Sequence, residues 1–466
     1  MMRVLNHKPT FIDKLLGKQN INDDSQYRRL QFLELCEKDG VFLAYNMLTR
    51  KLAELTDKEY KLLSSDGFLY SDDYHDIITD WFAVPVDNDD IKLYHQSVAL
   101  YNIFDNEKYI NSYTILTTTD CNAHCFYCYE KGIKHINMSE KIAHDVAKFI
   151  ISNSKDKKVE LGWFGGEPLY NYEVINIITD DLRKANKTFT SSMISNGYLF
   201  NDNLVKLAKE LWNLKYVQIT LDGTQDIYNK CKNYIYDDPN PFKTVCNNIE
   251  RLLKNNIAVK IRLNLDTHNY NDLYSLVDYI VKRFKGQKKL FGYVSLLYDL
   301  NHKRTEQEKQ MLIENLVNIE NKLYDSGILK GDLNNKFKVT CCMADDKHST
   351  LINPEGGLAR CEHYVNDYLW GTIYEPQYAS SAFGDWKSIN KHTTACVSCP
   401  YYIECLSPEK CIVDMSVCDC FDRELRSIRM RRTMHATFKK LTANEAAENN
   451  IGDTSNDSNT SDDSVC

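Results

Sequence analysis

The sequence predicts an α/β protein built around an open, partial (β/α)6 barrel, with a small α+β domain before it and a cysteine-rich extension after it. Three observations carry this expectation. From Ser112 to about Leu297, short β-rich runs alternate with amphipathic helical stretches, the rhythm of a parallel sheet with crossover helices. Twelve of the 16 cysteines fall into two groups, one directly behind the first of those runs and one beyond the last. At 466 residues the chain exceeds one ordinary domain of roughly 100–200 residues, so two or three units are expected.

In chain order, residues 1–110 read as a separate α+β region. Val41–Asn46 reads as a strand, Leu48–Leu55 as a return strand or turn, and Asp57–Leu63 as the start of a helix. Residues 111–300 hold the barrel, with strands near Tyr113–Thr118, Val159–Phe164, Ser191–Ser195, Tyr216–Leu221, Ala258–Leu265 and Leu290–Leu297. Helices begin near Ser139, Glu173, Asn203, Phe242 and Leu273. The first is signalled by Ser139 as N-cap ahead of Ile142, Val146 and Ile150 at a helical repeat. Residues 301–340 read as a linker with a helix carrying Leu312, Leu316, Ile319 and Leu323. Residues 341–425 hold the second cysteine group. The basic stretch Arg423–Lys440 that spans the next segment, 426–441, is expected to be helical with its charges on a solvated face. Residues 442–466 are rich in Asn, Ser, Asp and Thr and lack aromatics, so a disordered acidic tail is expected.

A hydrophobic content of 43% with 26% charged residues is that of a globular chain. The net charge of −8 owes much to Glu445, Glu448, Asp453, Asp457, Asp462 and Asp463 in the tail. The part before the tail is therefore nearly neutral, a balance that gives no support for nucleic-acid binding by counterion release. The N-terminus has no signal-like apolar stretch and no run reaches the roughly 20 apolar residues of a membrane span, so a cytoplasmic protein is expected. In that reducing compartment, cysteines serve as metal ligands or catalytic groups more often than as disulfides. Cys36, Cys231 and Cys246 read as small buried hydrophobes and Cys466 as a tail thiol.

The run Cys121-Asn-Ala-His-Cys125-Phe-Tyr-Cys128 follows the first strand. Three thiolates can hold three irons of a [4Fe–4S] cubane, which normally takes four, and so leave one iron open. A zinc loop is the alternative. Behind the second strand, Gly165 and Gly166 let backbone approach a ligand and Glu167 can accept hydrogen bonds from an amino group. The Cys-x3-Cys-x-aromatic-Cys spacing, with Tyr127 as the aromatic, followed by Gly-Gly-Glu-Pro, resembles the radical SAM enzymes. That resemblance implies that Cys121, Cys125 and Cys128 bind a cluster whose open iron takes S-adenosylmethionine. It places Gly165, Gly166 and Glu167 at the amino group, Ser195 and Asn196 at the ribose or methionine part, and Tyr127 by the adenine. Arg262 would pair with the methionine carboxylate, as its guanidinium suits; Asp222 joins the cofactor site or only forms a turn.

The second group reads Cys341-Cys342, Cys361, Cys396-x2-Cys399-x5-Cys405-x5-Cys411, then Cys418 and Cys420. It resembles the SPASM extension of radical SAM enzymes acting on peptides and proteins. The resemblance implies two auxiliary [4Fe–4S] clusters, three in all. One would use Cys341 or Cys342 with Cys361 and Cys411; the other would use Cys396, Cys399, Cys405 and either Cys418 or Cys420. A structural zinc site from Cys396, Cys399, Cys405 and Cys411 is the alternative. Glu362 lies where related enzymes place a catalytic acid or base. Phe42–Leu55 resembles the hairpin of winged-helix elements that grip a leader peptide, which implies strand addition beside it. The function so implied is a radical SAM oxidoreductase that matures a ribosomally made precursor peptide by a thioether or other carbon-centred cross-link. A flavodoxin or ferredoxin would supply electrons, with no nucleic acid and no membrane as partner. The alternatives are a sulfatase-type maturase oxidising a Cys or Ser side chain, and a non-catalytic iron–sulfur or zinc binding module.

Overall fold

A computed structural model describes residues 1–6, 9–105, 107–297, 304–333, 336–340, 342–384, 386, 388–389, 396–405, 407–408 and 420–453. The first region begins with β1 (Arg3–Val4), α1 (Phe11–Leu16), β2 (Gln26–Arg29), β3 (Leu33–Lys38), β4 (Val41–Asn46) and β5 (Lys51–Leu55). It continues through α2 (Asp57–Leu63), β6 (Phe68–Leu69), α3 (His75–Thr79), β7 (Ala83–Pro85) and α4 (Asp90–Phe104). Thr56 starts α2 with a reciprocal capping box to Glu59, which satisfies two otherwise orphaned backbone donors. The strands form one antiparallel sheet in the order β1-β5-β4-β3 and a smaller one in the order β6-β2-β7. Here the expectation of strand addition beside the Phe42–Leu55 hairpin is corrected. β4 is already paired with β3 and β5, and β5 with β4 and β1, so neither hairpin strand offers an open edge.

The barrel strands are β8 (Ser112–Thr118), β9 (Val159–Gly165), β10 (Phe189–Ser195), β11 (Leu214–Leu221), β12 (Ala258–Leu265) and β13 (Leu290–Leu296). All five neighbouring pairs among them are parallel. The helices are α5 (Glu140–Asn153), α6 (Tyr172–Lys184), α7 (Asp202–Glu210), α8 (Gln225–Lys232), α9 (Pro241–Lys254) and α10 (Tyr270–Arg283). Their apolar faces bury Val146, Ile150, Ile178, Leu182, Ile249 and Val277 against the sheet in one core. A seventh parallel strand, β14 (Ser349–Ile352), lies beside β8 and carries β15 (Gly357–Ala359) and β16 (Gly371–Thr372) outward, completing the order β13-β12-β11-β10-β9-β8-β14-β15-β16. Among the described residues the sheet therefore stays open at the β13 side.

After the barrel come α11 (Glu306–Asp325), α12 (Ser381–Gly384) and α13 (Cys420–Asp453). Two expectations change. Helix α13 continues past Thr442 to Asp453, with the helix-favouring Ala443, Ala446 and Ala447 in its last turns and an Arg3–Glu445 ion pair at 2.9 Å; residues 454–466 lie outside the described residues. The basic stretch is also not simply a solvated face. Arg429 and Arg432 pair with buried Glu320 of α11 at 2.7 and 2.8 Å, and Arg431 with buried Glu34 of β3 at 2.6 Å.

The core of the first region takes in Phe337, Cys399, Tyr401, Tyr402, Ile403 and Met434 from the far end of the chain. Gln31 donates to the carbonyls of Val397 and Cys399, both at 2.9 Å. Arg50, 2% exposed, pairs with Glu404. Removing one partner of a buried ion pair strands the other charge. Arg50→Ala is therefore expected to cost about 3–5 kcal/mol, read as a lower urea midpoint. A change below about 0.5 kcal/mol, the range of ordinary surface substitutions, would mean that the two regions do not lean on this contact.

Candidate active site at the carboxyl end of the sheet

The loop bearing Cys121, Cys125 and Cys128 leaves the carboxyl end of β8, where ligand sites of parallel α/β sheets gather. Its entry is fixed by Asp120 N–H donating to Thr118 Oγ1 at 2.9 Å and Cys121 N–H donating to Asp120 Oδ1 at 2.8 Å. From the other side it is held by the segment after α8. His124 N–H donates to the Lys232 carbonyl at 2.9 Å, Ile235 N–H donates to the Asn122 carbonyl at 3.0 Å, and Ala123 bridges Tyr234. Burial pushes the Cys121 thiol up to about 12, and the neighbouring Glu167, Cys125 and Cys128 add to the shift. Among the described residues no three His, Cys, Asp or Glu side chains stand close enough to hold a metal ion. A single ion is not what Cys121, Cys125 and Cys128 would hold: a cubane takes each thiolate at a separate iron. As a donor set they suit iron–sulfur chemistry: three half-buried thiols on one short loop.

At the end of β9, Gly165 has φ of +124° and a Cβ there would sit 2.1 Å from the Thr118 carbonyl oxygen. A Cβ on Gly166 would sit 2.2 Å from that of Asp120. Both positions need glycine because backbone passes against backbone, and the close approach delivers Glu167 beside the cysteine loop. Glu167 is fully buried. Its carboxylate accepts from Ser195 Oγ and Asn196 N–H, both at 2.8 Å, and from Leu169 N–H at 3.2 Å. All three donors are neutral, and burial raises its pKa to about 7. Asn196 also donates to Asn122 Oδ1 at 2.7 Å, with its amide nitrogen 4.0 Å from Cys121 Sγ. Ser195 and Asn196 thus tie the Gly-Gly-Glu turn to the cysteine loop.

Tyr127 and Asp222 meet as well. The Tyr127 hydroxyl donates to Asp222 Oδ2 at 3.0 Å, and Asn264 donates to Oδ1 at 2.8 Å. Lys232 reaches the same carboxylate at 3.1 Å. Neither Lys232 nor Asn264 was expected from the sequence as part of a site; α8 carries a polar run with little apolar repeat, so nothing in it marks Lys232. A cavity of about 120 Å³ borders this group, lined among others by Phe126, Tyr127, Asp222, Cys231 and Asn264. Arg262 on β12 donates to Asn264 Oδ1 at 3.0 Å and Ser295 Oγ at 3.2 Å, both neutral partners.

Glu362 and Cys361 lie beside the cysteine loop. His363 packs on Tyr129 with ring centroids 4.4 Å apart, and Glu362, Cys128 and Cys361 all bear on the Tyr129 hydroxyl, whose pKa burial raises. Arg360, 2% exposed, donates to the carbonyls of Ala344, Ser349 and Asp346 and so pins the turn that follows Cys342. Cys396, Cys399 and Cys405 share a second loop, where Cys399 N–H donates to the Cys396 carbonyl at 2.9 Å. Burial raises the Cys399 thiol, and Cys396 and Cys405 add to it. Cys341, Cys411 and Cys418 lie outside the described residues, and Cys420 is described only in its backbone.

Comparison with known proteins gives this arrangement a family. Residues 115–280 match the radical SAM superfamily, and the barrel is a radical SAM domain. The chain is 24% identical over 363 residues to the radical SAM cyclopropyl synthase TigE of Paramaledivibacter caminithermalis, covering 70% of this chain and 71% of that protein. It is 25% identical over 268 residues to a GTP 3′,8-cyclase of Clostridium perfringens, covering 54% of this chain and 80% of that enzyme. Among solved structures, anSMEcpe with bound S-adenosylmethionine and the Kp18Cys peptide superposes with a TM-score of 0.52 at 17% identity, over 72% of this chain and 99% of that one; this likeness concerns the fold. Among the described residues no helix is long and apolar enough to cross a membrane.

Proposed function

We propose that the chain is a radical SAM peptide maturase with a SPASM-type C-terminal region. The observation that carries the reading is the junction of three cysteines at the end of β8 with a buried Glu167 at the end of β9 whose hydrogen-bond donors are all neutral. Cys121, Cys125 and Cys128 would hold a [4Fe–4S] cluster. Glu167, Ser195 and Asn196 would receive the amino and ribose end of S-adenosylmethionine, and Arg262 its carboxylate. When bound, this cofactor pair supplies a 5′-deoxyadenosyl radical that takes a hydrogen atom from a substrate carbon. The chain's own part is to orient the reactants and to shut out water. Glu362, beside Tyr129, would take a proton from the substrate. The C-terminal cysteines would hold two auxiliary clusters, one from Cys341 or Cys342 with Cys361 and Cys411, the other from Cys396, Cys399, Cys405 and either Cys418 or Cys420.

The substrate class in this reading is a ribosomally made precursor peptide, supported by the fold shared with anSMEcpe, which binds a peptide. Residues 1–110 would recognise it through surfaces other than the Phe42–Leu55 hairpin. Forming a thioether removes one hydrogen atom from carbon and the proton of a thiol. The auxiliary clusters would accept the remaining electron, and a flavodoxin or ferredoxin would supply the electron that cleaves S-adenosylmethionine.

Anaerobically reconstituted protein is accordingly expected to carry about three [4Fe–4S] clusters. Given S-adenosylmethionine, a reductant and the cysteine-containing peptide encoded beside its gene, it should form 5′-deoxyadenosine and lower the peptide mass by two hydrogens. Iron near one cluster per chain together with bound zinc would replace the auxiliary clusters by structural zinc. Oxidation of a single Cys or Ser side chain to an aldehyde would instead make it a sulfatase-type maturase, and absence of any cleavage a non-catalytic module.

A further inference from the structure

Lys232 ends α8 with its side chain 4% exposed. Its ammonium lies 3.1 Å from Asp222 Oδ2 and donates to the Tyr127 hydroxyl at 2.9 Å. It also faces the Tyr127 ring at 5.5 Å from the centroid and the Tyr228 ring at 5.8 Å. The same residue's carbonyl accepts from His124 N–H, and Tyr234 and Ile235 bridge the loop just beyond it. A buried ammonium is costly unless paired and hydrogen-bonded, and the carboxylate in ion-pair contact with it is Asp222, itself 2% exposed. Burial works against the charge of Lys232, yet Asp222, Tyr127 and Cys125 together hold its pKa well above the ordinary lysine value. The chain therefore maintains a charged pair against the very loop that carries the three thiols.

We infer that Lys232 is a positioning residue, a buried cation that together with Asp222 fixes the Tyr127 ring and tunes the charge felt by the thiolates of Cys121, Cys125 and Cys128. The inference rests on the reading that those thiolates hold the cluster. Iron–sulfur potentials respond to net charge, hydrogen bonding and solvent exposure. A cation favours the reduced, more negative state, and an anion opposes it. Lys232 and Asp222 must then act with opposite signs, which a packing role alone does not require.

The test is a redox titration of the cluster whose paramagnetic signal shifts on adding S-adenosylmethionine. Lys232→Met should lower its midpoint potential, Asp222→Asn should raise it, and the double variant should return near the wild-type value. Lys232→Arg should restore most of the potential lost in Lys232→Met. Shifts of the same sign in the two single variants, or no shift in either, would overturn the electrostatic part. If Lys232→Met does not fold, the rise in Asp222→Asn and its cancellation in the double variant decide the matter. For the positioning part, Tyr127→Phe should weaken S-adenosylmethionine binding several-fold; unchanged affinity would overturn it. Failure of the cluster reading would show separately, as a wild-type protein with no signal responsive to S-adenosylmethionine. Even then, amide exchange across residues 121–128 in iron-free protein should be faster in Lys232→Arg/Asp222→Asn than in wild type, and equal rates would refute the positioning role.

Discussion

Replacing Cys125 with alanine is expected to abolish reductive cleavage of S-adenosylmethionine while the protein keeps about two-thirds of its iron, the share of two clusters in three. The expectation follows from how the cysteines are distributed. Cys121, Cys125 and Cys128 share the loop at the end of β8, and a cubane held by three thiolates has no spare ligand when one is lost. Cys399 is packed into the core of the first region with Tyr401, Tyr402 and Ile403, and Gln31 holds the turn that bears it. That loop is built by a separate set of contacts, so it should load iron independently. The measurement is 5′-deoxyadenosine by chromatography beside total iron and sulfide. Undiminished cleavage would remove the Cys121–Cys128 loop from the chemistry; complete loss of iron would show that the C-terminal cysteines do not assemble clusters of their own.

The barrel was legible because each of its strands is a short β-rich run and every crossover helix but α8 carries a clear apolar stripe. Ala258–Leu265 was bounded correctly from the sequence, and β13 ends one residue earlier than expected. The cysteine loop and the Gly-Gly-Glu turn were legible for a different reason. Spacing there is set by ligand geometry and by backbone approach, as the 2.1 and 2.2 Å Cβ distances at Gly165 and Gly166 show. What escaped the sequence depends on partners far along the chain. The four residues of β14 are too few to signal a strand, and only their pairing with β8 makes one. The arginines of α13 read as a solvated face because Glu34 and Glu320, which turn them inward, sit roughly 100 residues or more away in sequence. Lys232 was silent because its surroundings are assembled by folding: Tyr127 lies 105 residues away, and nearby Asp222 meets it only once β11, α8 and the cysteine loop come together. The hairpin of the first region was legible as a hairpin, but β1, two residues long, closes the edge that a peptide would need.

Glu167→Gln is expected to weaken S-adenosylmethionine binding about ten- to hundredfold, since a hydrogen bond to a charged group contributes about 1.5–3 kcal/mol, and to remove most of the pH dependence of binding. In the free protein burial raises the Glu167 carboxyl to about 7 from its ordinary 4.5, so at neutral pH it is only partly ionised. Its present donors, Ser195 Oγ and the backbone N–H groups of Asn196 and Leu169, are neutral. An amino group brought against it donates further hydrogen bonds to the ionised form and lowers its pKa. Binding below about pH 7 therefore releases a proton, and affinity should rise as pH increases toward 7, by up to about tenfold per unit, and level off above it. The sign is fixed by the direction of the shift: a carboxyl whose pKa falls on binding favours the complex at higher pH. Glutamine keeps the shape and can still accept from Ser195 but carries no proton to release. Equilibrium binding of S-adenosylmethionine to cluster-loaded protein between pH 6 and 8, in wild type and variant, decides the point. A slope that persists in Glu167→Gln would assign the titrating group elsewhere, and a wild-type affinity that falls with rising pH would contradict the role given to this carboxylate.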